Sequence, residues 1–126
     1  MINTHNDIDP VLCGTALELE DGFAKVVLKT LDSMKVDDTG LVHGGFIFGL
    51  ADYAAMIAVN HPNVVLGAAD VKFLKPVKAG EEAVAEARVE FFEGRKSLVD
   101  VVVKVKDIEV LKGVLTCFVL DKHVLK

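Results

Sequence analysis

The chain has 126 residues, 52% of them hydrophobic, and a formal net charge of −5 at pH 7. That length suits one compact domain over 1–126 and excludes a long linker. The dispersed lysines carry no basic block, which excludes a nucleic-acid footprint, and the apolar richness predicts surface buried against a second copy.

From the start, MINTHNDIDP has no basic-then-apolar leader pattern, so a cytoplasmic location is expected. Cys13 and Cys117 stand far apart without CxxC spacing. They are expected as free thiols in a reducing compartment, not as a metal site. From Gly14 to Thr30 the pattern predicts two strands, with Asp21-Gly22 as the hairpin turn. Leu31 to Gly40 is polar and loop-like. Gly44 to about Asn60 reads as the one long helix, apolar on nearly every side, and Asn60 and Pro62 mark its end. It is too short for a membrane span, which needs about 20 apolar residues. Its small residues Gly49, Ala51, Ala54, Ala55 and Ala58 would let it lie close to a sheet.

Beyond the helix every segment reads as strand: Asn63 to Leu74, then a loop at Pro76 to Gly80, then AVAEARVEFF. Ala and Glu favour helix in that last run. However, Glu86, Arg88 and Glu90 alternate with Ala85, Ala87, Val89 and Phe91, and period two predicts a strand. A turn at Glu93-Gly94, the strand SLVDVVVKVK, a turn at Asp107 and the strand EVLKGVLTCFVL complete the chain. The four strands after the helix are expected as an antiparallel meander. The expected class is α+β, a curved antiparallel sheet wrapped around one central helix.

Asp52 is the anomaly, a carboxylate inside the most apolar segment. Its helical neighbours Phe48, Gly49, Ala55 and Met56 cannot pair with it. An ionised carboxylate in an apolar site costs several kcal/mol unless paired, so a partner must come from another strand, another subunit or a ligand. The same helix begins with His43-Gly44-Gly45. Unpaired N–H groups at a helix start, approachable because glycine lacks a side chain, can polarise a carbonyl oxygen. A tight loop-to-helix turn would also use these glycines. Gly44 and Asp52 lie eight residues apart, about 12 Å along a helix, and a base acts at about 3 Å. The two groups can cooperate only if Asp52 faces Gly44 of a second copy.

GLVHGGFIFGLADYAAMIAVN, then ADVKFLKPVKAGEEAVAEARV, then EGRKSLVDVVVKV and a final strand resemble the hotdog-fold acyl-CoA thioesterases, in particular the phenylacetate-pathway and related small thioesterases. The likeness runs from about Gly14 to Leu120. It implies the hotdog fold and hydrolysis of an acyl-CoA thioester to free acid and CoA, with no cofactor and no metal. The partners it implies are a small-molecule acyl-CoA and a second copy of the chain, as a homodimer or a dimer of dimers. By the same resemblance Gly44 donates its N–H to the thioester carbonyl, with Gly45 beside it, and Asp52 of the other subunit is nucleophile or general base. His43 either shapes the helix entrance near the pantetheine arm or is a structural cap. Phe46, Phe48 and Met56 are read as core or acyl-pocket lining, and which of them border the acyl chain depends on the dimer. Lys96 and Ser97 approach the nucleotide half of CoA, and Lys72, Lys75 and Lys78 are further phosphate candidates.

The chain departs from the family pattern at two places. Many relatives carry Asn where Asp37 stands, and an ionised Asp only accepts hydrogen bonds; Asp37 is a catalytic candidate that either orients water or is simply a loop residue. Some carry Ser or Thr before FLKP, where this chain reads VVLGAAD. Two other readings therefore stay open: a hotdog acyl-thioester hydratase or dehydratase, and a non-catalytic acyl-CoA-binding protein. His5, His61 and His123 show no metal-like spacing and are assigned no role.

Overall fold

The computed structural model of the protein describes residues Met1–Lys126. A short helix α1, Pro10–Cys13, precedes the hairpin of β1, Thr15–Glu20, and β2, Phe23–Lys29. The long helix α2, Gly44–Val59, follows, and then come β3, Val64–Phe73, β4, Glu82–Glu93, β5, Lys96–Val105, and β6, Ile108–Val119. All six strands form one antiparallel sheet in the order β1-β2-β4-β5-β6-β3. With α2 lying across its inner face, this is an α+β hotdog fold. No helix is long and apolar enough to cross a membrane.

The alanines of β4 explain how the helix sits so close. Ala83, Ala85 and Ala87 are fully buried on the strand's inner face, and Ala51, Ala54, Ala55 and Ala58 of α2 are buried too. α2 packs most extensively on β4 and then on β2 and β5. Larger residues close the core to either side: Val26 and Leu28 from β2, Val99, Val101 and Val103 from β5, Leu111 and Leu115 from β6. Close packing of this kind leaves little room for added volume.

Two expectations are corrected. The last four strands are not a simple meander: β4, β5 and β6 are, but β3 pairs with β6 at the far edge and β4 pairs with β2. The helix crosses the sheet and delivers the chain to the opposite edge, so β3 begins there. Phe91, expected to alternate inward, is 52% exposed. A β-bulge between Val89 and Phe91 takes Glu90 out of register and sets Phe91 opposite Leu98, on the outer face.

Candidate functional site

The entry to α2 is fixed by backbone contacts from two segments. The His43 N–H donates to the Met34 carbonyl at 2.9 Å, and the Val42 N–H to the Val77 carbonyl at 2.8 Å. The 76–81 turn that supplies Val77 is anchored in turn by buried Thr30, whose hydroxyl donates to the Glu81 carbonyl at 2.6 Å. Gly44 and Gly45 thus occupy the first helical positions, where no carbonyl one turn back can take their N–H groups.

Room, not backbone conformation, selects these glycines, since neither has a positive φ. A Cβ on Gly44 would lie 3.3 Å from the Phe73 ring, and one on Gly45 would lie 3.0 Å from the His43 ring. His43 takes the N-cap position, yet its side chain makes no capping hydrogen bond. Its ring lies instead over Gly45 and edge-on to Phe46, at 6.1 Å between centroids. Beside Gly44 an apolar cleft of about 330 Å³ opens, lined by Leu41, Ile47, Phe73, Leu74, Pro76 and Val110.

Asp52 lies two turns further along α2. The residue is only partly buried, but its Oδ1 is sealed from solvent and has no hydrogen-bond partner. Burial pushes its pKa above the ordinary carboxylate value, and the charge of His5 opposes that rise. Gly45, Phe48, Gly49 and Asp52 form a strip that the single chain leaves accessible. A Cβ on Gly49 would meet nothing within 4 Å. The helix expected to be wrapped on all sides is therefore open along one of them. Asp52 lines neither the apolar cleft beside Gly44 nor the polar cleft near the N-terminal segment.

The remaining candidates are dispersed. Asp37 is on an exposed loop, where its carboxylate accepts from the Thr39 N–H at 2.9 Å and the Thr39 hydroxyl at 2.6 Å. Those bonds hold its pKa below the usual carboxylate value. It closes its own turn, and none of these bonds reaches α2. Lys96 and Ser97 begin β5, where alternation sends them to opposite faces. Ser97 stands opposite Cys117 on the helix side, whereas Lys96 is exposed on the outer face. Lys75 lines the apolar cleft at Gly44, and Lys72 and Lys78 are exposed. Cys13 and Cys117 are free thiols. Sequence reasoning assigned no role to His5, whose ring the N-terminal segment carries to 6.4 Å, between centroids, from that of Tyr53, the residue after Asp52. Nothing local in MINTHNDIDP signals that placement.

Residues 39–112 match the Thioesterase superfamily, and the chain belongs to it. Among named relatives, 98 residues are 58% identical to part of the methylthioribose-1-phosphate isomerase of Aquifex aeolicus, covering 78% of this chain but only 22% of that protein. The transcription factor FapR of Thermoanaerobacter is 32% identical over 114 residues, 90% of this chain and 57% of that protein. The acyl-coenzyme A thioesterase PaaI of Escherichia coli is 33% identical over 94 residues, 69% of this chain and 66% of that protein. The chain thus spans about a fifth to two thirds of these relatives' lengths. Among solved structures, PH1136 from Pyrococcus horikoshii, an uncharacterized protein, superposes with a TM-score of 0.99 at 51% identity, covering 100% of this chain and 97% of that one. The smu.793 protein of Streptococcus mutans, solved bound to acetyl-CoA, superposes at 0.82 with 25% identity over 94% of this chain and 97% of that one.

Proposed function

We propose that the protein hydrolyses an acyl-CoA thioester at a site formed between two copies of the chain. The observation that carries this reading is the unpaired, sealed oxygen of Asp52 on the open strip of α2, in a helix that starts with two free glycine N–H groups. The rise of about 12 Å between the two features on one helix keeps them from meeting within one chain. Two helices placed antiparallel about a two-fold axis bring each Asp52 to the other copy's Gly44, twice per dimer.

In that arrangement the Gly44 N–H, with Gly45 beside it, polarises the thioester carbonyl and stabilises the oxyanion that develops on it. Asp52 then acts in one of two ways. As general base it takes a proton from water as the water oxygen attacks the carbonyl carbon; collapse of the tetrahedral intermediate expels the CoA thiolate. As nucleophile it forms a mixed anhydride, expelling the same thiolate, and water cleaves the anhydride afterwards. Label found in Asp52 after single-turnover hydrolysis in labelled water excludes the first route alone, because it requires water to attack the anhydride at the Asp52 carbonyl; attack at the acyl carbonyl labels the product acid in either route. The cleft beside Gly44 offers apolar walls for the acyl or pantetheine portion. The exposed edge of β3 supports a two-copy assembly, since Gly67, Ala68, Ala69 and Asp70 are all accessible there.

The test is thiol release across a panel of acyl-CoAs, with the association state measured on the same samples. A monomer that hydrolyses at full rate would sink the shared site. The likeness of 90% of this chain to FapR, a transcription factor, beside the likeness to the smu.793 protein solved bound to acetyl-CoA, favours a second reading, an acyl-thioester-binding protein without turnover. That reading requires saturable binding of an acyl-CoA with no thiol released.

A further inference from the structure

Two clefts lie at opposite ends of α2, and they differ in chemistry. At the C-terminal end the Asn60 side chain donates to the Met1 carbonyl at 2.8 Å and accepts from the Asn3 N–H at 2.7 Å. The cleft beside this clasp, of about 390 Å³, is polar, with Asn3, His5, Asp7, Asn63 and His123 in its lining. At the N-terminal end the cleft beside Gly44 has apolar walls, and no side chain lining it can accept a hydrogen bond. Much of its backbone is spent as well. The Leu41, Val42, Leu74 and Lys75 N–H groups already donate to Thr39, Val77 and Val110, and Pro76 has no N–H. Lys75 is exposed and keeps its ammonium in water. An amide-bearing pantetheine arm would leave its N–H groups unpaired against these walls, which costs free energy. A hydrocarbon chain leaves nothing unpaired.

Phe73 ends β3 and lines this cleft. Its backbone is held opposite Leu111, and the following N–H, of Leu74, donates to the Val110 carbonyl at 2.8 Å. Its ring lies so near Gly44 that a Cβ there would be 3.3 Å away. On a helix the Cα–Cβ bond tilts toward the N-terminus, and the first N–H groups point the same way. The ring therefore flanks the space into which the Gly44 N–H points. Gly44 and Ile47, three residues apart, face the cleft, whereas Gly45 and Phe48 lie on the open strip beside it.

Resting on the reading of Gly44 as donor to the thioester carbonyl, we infer that Phe73 is a specificity-determining residue: it admits acyl groups unbranched at the carbon next to the carbonyl, and the cleft takes their hydrocarbon chain. An oxygen that accepts from the Gly44 N–H stands about 2.9 Å from the nitrogen. That sets the carbon next to the carbonyl against the ring. A methylene fits there; a second substituent on that carbon meets the ring, as a Cβ on Gly44 would. The chain then runs into the cleft, and Asp52 of the second copy reaches the carbonyl from the strip. A branch one carbon further along clears the ring.

The experiment compares kcat/KM for thiol release from butyryl-CoA and its isomer isobutyryl-CoA by the full chain, native, Phe73→Ala and Phe73→Leu. The native protein is expected to favour butyryl-CoA by about tenfold or more, the scale on which a packed pocket reads one methyl group. Phe73→Ala should bring that preference to about twofold, with Phe73→Leu between. Valeryl-CoA and isovaleryl-CoA, which differ one carbon further out, should be separated less, and their ratio should stay the same in the variants. Equal use of the butyryl isomers by the native protein overturns the inference. So does an undiminished preference in Phe73→Ala, including a uniform loss on every acyl-CoA, which would set the ring against the pantetheine arm. If Phe73→Ala does not fold, Phe73→Leu decides. Absence of thiol release from every acyl-CoA would instead refute hydrolysis, and the ratio of Kd for the two butyryl isomers, native against variant, then decides the role of Phe73.

Discussion

On the side of α2 that meets the sheet, Leu50, Ala51, Ala54, Ala55, Ile57 and Ala58 are sealed from solvent. Gly45, Phe48, Gly49 and Asp52, three and four residues apart on the same helix, are not. Packing within one chain accounts for the first set, where each small side chain answers to the closeness of β4. It does not account for the second. A glycine with nothing near it weakens the helix by about 1 kcal/mol relative to alanine, and a sealed, unpaired carboxylate oxygen costs more. What the inner side teaches is how this domain folds; the outer side is the face that the proposed second copy would cover.

The contrast can be tested along the helix. The largest effect is expected for Asp52→Asn, which should lower thiol release by several hundredfold or more, the loss typical of a removed general base. Retained activity would leave the open strip without its chemistry. Next comes Ala55→Leu on the sealed side. Overpacking should cost about 3 kcal/mol, read as a lower midpoint in urea; an unchanged midpoint would mean the helix–sheet contact is looser than described.

Gly49→Ala is the counterpart on the open strip. It should stabilise the isolated chain by about 0.5–1 kcal/mol through helix propensity, because its Cβ meets no neighbour. If a second copy or an acyl chain needs that space, the same variant weakens association or raises KM, and a bulkier Gly49→Leu does so more strongly. A destabilised monomer would show that the strip is packed after all.

The smallest effect is a pH-dependent one. Burial raises the pKa of Asp52 in the folded chain. A carboxyl whose folded pKa is raised favours the fold at pH below its unfolded value, and that contribution is lost as pH rises through the folded value. Asp52→Asn should therefore raise Tm by a few degrees at neutral pH. The gain should vanish toward acid, where the native side chain is already protonated. An equal gain at all pH values would remove burial of charge as the cause.

Much of the architecture was legible because it is local. The apolar run from Gly44 ends at Asn60, which adopts the left-handed C-cap conformation, and Asp21-Gly22 closes its hairpin with Gly22 at φ +77°. Even the alanine-rich β4 declared itself by period two, against its helical propensity. Neighbour relations were less legible: period two marks Val64–Phe73 as a strand without saying that β6, not β4, pairs with it. The bulge that turns Phe91 outward has no local marker either. In the site, Asp52 and the glycines stood out because their chemistry conflicts with their surroundings. His5 did not, because its position depends on contacts with Asn60 made across more than fifty residues of chain.

The clasp between Asn60 and the Met1 carbonyl also bears on how the protein is best handled. Residues joined ahead of Met1, such as a purification tag, would leave from a group already fastened beside the imidazole of His5, whereas Asp121–Lys126 are all accessible and offer a freer point of attachment. Preparations carrying the two kinds of tag should then differ in how firmly the first residues hold to the end of α2, before any residue of the domain is changed.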